Sequence, residues 1–417
     1  MLERIITRAR FIVPLSLAML VLCMTGVVLV GAPRNPLWLV SSVQSQQNQA
    51  PAPVISSPRL MNGKLASLGW IVGRDCQGGI RAYLQTASTN PDAALVGTGW
   101  VDATNGQLIN GQSNNCMPGS LSMDNVVQLV HSKGGIAYLT VTMMTDGSAE
   151  AWTSEQQSEY IDKASRDQSY IDPIVHEVLR AHYDGVIMDM EAGSRTYPSI
   201  QQLFMKFNQR VWAALKPLHK LYGIALIHKL SDQDAYYGLN GFENWSLLAQ
   251  AADFIVVMAV DQSYFMPGPT VSIPWLKQLL AYVLQTMPTM LPRIIWELPL
   301  YGATWRWDGS EWVFEGNVNY QDAQALVAQV PSSQIDTTAS DLNDPTAAHL
   351  VYTDSSGVKH ALWYHTAKNL YYIISNFKQI LEKVPQFGNS HLQIAVWYRA
   401  TWEPGDVWPM LNKVLPN

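Results

Sequence analysis

From residue 66 to residue 398 the chain keeps repeating one alternation. A short apolar run rich in β-branched and aromatic residues is followed by a stretch whose apolar residues recur every three or four positions. The strand-like runs are "ASLGWIV" (66–72), "ALVGTGWV" (94–101), "GIAYLTVTM" (135–143), "DGVIMDME" (184–191), "GIALIHK" (223–229), "DFIVVMAV" (253–260), "RIIWELPLYG" (293–302) and "LQIAVWY" (392–398). Helical stretches include 123–134, 154–182, 200–222 and 273–287. Strand then helix, repeated, demands parallel strands with helical crossovers, and eight strands is the number that closes a (β/α)8 TIM barrel. The expected fold class is therefore α/β. One connection, roughly 303–365 between the seventh and eighth strands, is too long for a simple crossover. It holds "ATWRWDGSEWVFEG", a helix-like "NYQDAQALVAQ" and two β-rich arms around Ser355-Ser356-Gly357, which predicts a small α+β insertion rising from the C-terminal rim of the barrel.

The fourth run ends in acids. On a strand, alternate residues share a face, so Ile187, Asp189 and Glu191 point one way while Val186, Met188 and Met190 point the other. If the run is a barrel strand, the first set faces inward and its carboxylates lie at the C-terminal end. Two carboxylates on neighbouring same-face positions repel when ionised and partly dry, which raises at least one pKa toward the range of a general acid. A salt-bridged or capping pair at a strand end is the plainer reading of the same spacing.

The first 62 residues stand apart. Arg4, Arg8 and Arg10 precede an uncharged run from Phe11 to Gly31, long enough to cross the ~30 Å hydrocarbon of a bilayer. Residues 1–31 read as a membrane anchor or a signal peptide. Pro33 follows the candidate Val30-x-Ala32 cleavage site and disfavours cutting, so the anchor is preferred, with the rest of the chain outside the cytoplasm. Residues 32–62, rich in Pro, Gln and Ser, read as a flexible linker to a domain spanning 63–417.

A net charge of −6 without clustered Lys and Arg excludes a nucleic-acid partner. The 15 tryptophans fit a core that also offers indole faces to sugar rings. Cys76 and Cys116 lie where a disulfide persists, and the sequence leaves their pairing open. His176 and His182 are six apart and cannot share a helical face as a zinc pair does, so no metal or other cofactor is expected.

"DGVIMDME" resembles the fourth-strand signature of glycoside hydrolase family 18, the chitinase-like family, Asp-Gly-x-Asp-x-Asp-x-Glu. Asp184, Gly185, Asp189 and Glu191 match, and Ile187 replaces the middle acid. "DFIVVMAVDQ" is similar to the sixth-strand Met-x-Tyr-Asp element, with Met258 and Asp261 retained and Val260 in place of Tyr. "LPLYG" matches the seventh-strand Pro-x-Tyr-Gly, and "IAVWY" puts Trp397 where the family has its eighth-strand tryptophan. "PGPTVSIPW" and "GVKHALWYHTAKNL" resemble the bacterial branch that includes spore-cortex-lytic and LysM-associated enzymes.

The resemblance implies an extracytoplasmic glycosidase acting on N-acetylglucosamine-containing polysaccharide, chitin-like or peptidoglycan, by a retaining, substrate-assisted mechanism. It implies Glu191 as proton donor, Asp189 as the residue orienting the acetamido group, and Asp184, Asp261, Tyr264, Tyr301 and Trp397 as substrate-binding residues. Ile187 cannot share a proton with Asp189 and Val260 cannot hydrogen-bond an acetamido oxygen, so a glycan-binding barrel with little or no turnover is the alternative.

Overall fold

A computed structural model of the chain describes residues 67–72, 76–88, 90–101, 106–109, 123–143, 152–191, 199–232, 241–397 and 403–415. The expected membrane segment, the linker and Cys116 lie outside them. Among the described residues no helix is long and apolar enough to cross a membrane.

The strands are β1 (Ser67–Val72), β2 (Ala93–Val101), β3 (Leu108–Ile109), β4 (Ala137–Thr142), β5 (Gly185–Met188), β6 (Leu221–Ile227) and β7 (Phe254–Met258). They continue with β8 (Ile294–Pro299), β9 (Tyr301–Trp307), β10 (Trp312–Asn319), β11 (Ala348–Thr353), β12 (Lys359–Tyr364) and β13 (Gln393–Trp397). Parallel pairing runs β1, β13, β8, β7, β6, β5, β4, β2 and back to β1, a closed eight-stranded barrel. All eight expected strands form.

Alternation along these strands divides the core in two. Val186, Met188, Ile224, Leu226, Ile255 and Val257 face the surrounding helices, while Ile187, Ala225, Val256, Ile295 and Ala395 fill the barrel interior. Near the N-terminal end of the interior, Tyr138 and Phe254 meet edge-on with ring centroids 5.6 Å apart. The glycines beside them make the room. A Cβ on Gly223 would come within 2.3 Å of the Phe254 ring, and one on Gly185 within 2.6 Å of the Leu221 carbonyl oxygen. The glycine of the Asp-Gly pair is thus a packing requirement between adjacent strands.

The stretch expected as one helix over 154–182 is two, Ser154–Ala164 and Asp172–Arg180. Asp167 accepts the Ser169 backbone N–H in the turn between them, and Pro173, lacking an N–H, occupies the first turn of the second. Cys76, which opens the helix Cys76–Thr86, is disulfide-bonded.

The insertion is an antiparallel sheet in the order β10, β9, β12, β11. Helix Tyr320–Gln329 covers one face, packing Ala323 with Ala348, Leu350, Leu362 and Tyr364. The other face carries Ala303, Trp305, Val351 and Ala361. It begins at Tyr301, two residues before its expected start, because the run 293–302 divides at Leu300. There the Leu300 N–H bonds the Trp397 carbonyl (2.9 Å) and the chain leaves the barrel to pair with β10 and β12.

Gly223→Ala is expected to destabilise the fold by about 1–3 kcal/mol, because overpacking displaces the Phe254 ring. A denaturant titration would read this as a lower midpoint with an unchanged slope.

Candidate active site

Backbone continuity places the acids. The Asp189 N–H donates to the Val141 carbonyl (2.8 Å), so extended pairing with β4 continues past Met188. Met190 accordingly joins the outer core with Met188, and Asp189 and Glu191 point to the barrel axis above Ile187. They stand roughly 6.6 Å apart along the chain. Asp189 is buried and Glu191 is partly exposed at the mouth.

Asp261 follows the end of β7 with a positive φ of 57°, a backbone conformation that aspartate tolerates better than most residues. The Tyr301 hydroxyl donates to its Oδ1 (2.6 Å). Trp397 closes β13, half-buried over the barrel interior, with its ring edge-on to Trp70 at 5.8 Å. Val260 packs on the same interior cluster. Tyr264 meets the insertion: its ring lies 4.3 Å from Phe314, and its carbonyl accepts the Trp305 indole N–H (2.7 Å).

Asp184 is not brought to this group, and its expected substrate-binding role is corrected. It precedes β5, at the N-terminal end of the barrel, five residues and roughly 16 Å of strand from Asp189. Its Oδ2 accepts the Ala137 backbone N–H (2.8 Å) and faces His131 Nε2 (2.8 Å). It ties β5 to β4 and to the helix Met123–Ser132.

Two acids in the cluster were not singled out from sequence. Glu297 lies on the inward face of β8, at the register level of Met258 and Ala395, and is 2% exposed. The acid in "IIWELP" was a visible signal, sharing a face with Ile295. Glu243, in the loop after β6, gave none. Its carboxylate accepts the Ile227 N–H (3.1 Å) and its carbonyl accepts the Lys229 ammonium.

Removal from bulk water is the largest cause raising all four carboxyls of the cluster. Asp189 is pushed up to about 7, with Glu243 adding to it, and Glu191 to about 8, with Asp189 and Asp261 adding. Glu243 reaches about 8 although Lys229, the Ile227 N–H and the Trp245 indole oppose it. Glu297 lies well above the carboxylate range, its burial reinforced by Asp189 and Glu191 and opposed by the Trp70 indole. Near neutral pH the site therefore holds protonated carboxyls, which can donate. Several polar atoms around it are buried without a hydrogen-bond partner: Trp70 Nε1, Thr140 Oγ1, Asp189 Oδ1, Gln262 Oε1 and Glu297 Oε2. Such atoms are open to hydrogen bonds from a polar ligand, from water or from one another. Among the described residues no cluster of His, Cys, Asp and Glu could hold a metal ion.

No protein-family model matches the sequence, and no curated protein matches it. Solved structures do match the fold. A chitinase from Chromobacterium violaceum aligns with 85% of this chain and 99% of its own at a TM-score of 0.64 and 17% identity. The spore cortex-lytic enzyme SleL of Bacillus cereus aligns with 84% of this chain and 74% of its own, at 0.65 and 18%. This is the chitinase fold. A variant class V chitinase of Nicotiana tobaccum, solved in complex with NAG4, shares it at 0.62 and 13% identity over 85% of this chain and 99% of its own. The resemblance to glycoside hydrolase family 18 read from the motifs thus agrees with the architecture. In a TIM barrel such as the chitinase fold, the C-terminal mouth where Asp189, Glu191, Asp261 and Trp397 gather is where active sites are assembled.

Asp184→Ala is expected to destabilise the chain by about 1–3 kcal/mol, because the buried Ala137 N–H loses its acceptor, while oligosaccharide affinity stays unchanged. Calorimetry beside a binding titration separates the two. The raised carboxyls set the pH trend. The folded chain keeps protons that the unfolded chain releases near pH 4, so their contribution is full below that value and is lost as pH rises toward 8. Thermal midpoints are expected to fall between pH 5 and about 8 and to level off above it.

Proposed function

We propose that the chain is an extracytoplasmic glycoside hydrolase of the family 18 type, cleaving β-linked N-acetylglucosamine-containing polymers with retention of configuration. The observation that carries this reading is the inward-facing Asp189 and Glu191 pair at the C-terminal mouth of a chitinase-fold barrel, with Glu191 held protonated near neutral pH.

In the first step Glu191 donates its proton to the glycosidic oxygen. The bond to the leaving sugar breaks as the substrate's acetamido oxygen attacks the anomeric carbon and closes an oxazolinium ring. Asp189 accepts a hydrogen bond from the acetamido N–H and opposes the positive charge of the ring. Glu191, now a carboxylate, then takes a proton from the water that opens the ring, and two inversions give retention. Trp397 supplies a face for the reacting sugar, and Asp261, held by Tyr301, lines the same pocket. The Nicotiana tobaccum chitinase in complex with NAG4 supports this ligand class. Residues 1–31 would hold the barrel at the outer surface of a membrane.

Ile187 and Val260 favour a second reading, a glycan-binding barrel with slow turnover. Each puts an apolar side chain where the family pattern has a polar one. Losing one oriented contact at a developing charge costs ~2.7 to 4 kcal/mol.

Product analysis on chitin oligomers and purified peptidoglycan, side by side, tests both readings. New reducing ends are expected from the parent chain, with Glu191→Gln slowing their release by ~10²- to 10⁴-fold. Equal release by Glu191→Gln would remove the assignment. Trp397→Ala is expected to weaken oligosaccharide binding about tenfold, equivalent to ~1.4 kcal/mol, in either reading.

A further inference from the structure

The barrel interior is stacked in layers, each drawn from alternate strands. Following the register two strands and two residues at a time, one layer consists of Trp70, Thr140, Ala225 and Glu297. The layer beneath holds Ala94, Ile187, Val256 and Ala395, all apolar. The layer above holds Asp189, Met258 and Trp397. Glu297 therefore lies between the level of Ile187 and the level of Asp189.

Its surroundings make this position unusual. Glu297 is 2% exposed, Trp70 1% and Thr140 0%, and each has a buried polar atom with no partner. The fourth unpartnered atom nearby is Asp189 Oδ1, the oxygen of the proposed acetamido-orienting acid. Among the described residues, the titratable groups acting on Glu297 are Asp189 and Glu191 from the end of β5 and Asp261 from the end of β7, all acids, and the Trp70 indole opposes them. An acid buried there among three other carboxyls, which the Trp70 indole opposes, favours holding or sharing a proton over ionising.

We propose that Glu297 is a positioning residue that shares a proton with Asp189, supplying from β8 the acid that Ile187 no longer provides from β5. The inference rests on the hydrolase reading for its catalytic consequence but not for the proton sharing itself. Glu297 donates its O–H to Asp189 Oδ1, which leaves the other oxygen of Asp189 anionic to receive the acetamido N–H. No bond is made or broken at Glu297, and the proton stays between the two acids through the cycle. In this structure the two are not hydrogen-bonded to one another, so the contact requires rotation of a side chain within the layer.

The experiment is a carbon-13 titration of side-chain carboxyls in the full chain, set beside steady-state kinetics for the parent, Glu297→Gln, Ile187→Asp/Glu297→Gln and Glu191→Gln. In the parent, Asp189 is expected to titrate in two coupled steps. In Glu297→Gln the step shared with Glu297 should disappear and the midpoint of Asp189 fall, leaving its coupling to Glu243 and Glu191, and the double variant should regain the lost step. Turnover number should fall by ~10²-fold in Glu297→Gln with little change in KM, and recover in part in the double variant. An Asp189 titration that Glu297→Gln leaves unchanged overturns the proposal, even if thermal stability falls. If Glu191→Gln stops turnover while Glu297→Gln keeps the parent's turnover number and pH profile, the catalytic role of Glu297 is lost and the hydrolase reading stands. If the parent cleaves no amino-sugar polymer, the hydrolase reading fails, and the titration alone decides whether the two acids share a proton.

Discussion

Parallel in-register pairing around a closed barrel is the constraint from which the rest of this molecule follows. Once β4, β5 and β6 pair side by side, the two-residue period of a strand leaves no freedom about where the side chains of 185–191 go. Met188 and Met190 are driven under the helices and Ile187, Asp189 and Glu191 toward the axis. A slip of one residue would bury methionine at the mouth and carboxylates beneath helices. The apolar outer face therefore fixes the polar inner one.

The carboxyls at the mouth acquire their chemistry from the same closure. The barrel excludes water from Asp189 and Glu297, and desolvation is the largest influence on both, ahead of any single neighbour. Among the described residues, Lys229 is the cation that acts on this cluster, and it does so at Glu243. Protonation near neutral pH is thus a property of the cage.

Much of this was legible in the sequence. Strand periodicity located all eight barrel strands, and the co-facial reading of Asp189 and Glu191 held because alternation depends only on local geometry. Three misjudgements have physical causes. Asp184 looked like part of the motif because it is close in sequence, but a strand carries its two ends to opposite faces of the barrel. The stretch 154–182 kept a helical period across a break that Asp167 and Pro173 impose. Glu297 was hidden by its setting: in a run that reads as a buried strand, one acid is visible, but its nearness to Asp189 comes from barrel closure, which brings β8 within reach of the end of β5.

The insertion is held to the barrel where the acids are. Tyr301, the first residue of β9, hydrogen-bonds Asp261, and four residues later Trp305 bonds the carbonyl of Tyr264 in the loop that follows it. The insertion's first strand and the loop after β7 therefore form one mechanical unit. An attempt to exchange this insertion for that of a chitinase of the same fold could not be cut cleanly at 301 and 364. A graft lacking a hydroxyl at 301 or an indole at 305 would release the backbone that keeps Asp261 at positive φ, so the modular boundary lies inside the loop after β7, not at the strand ends.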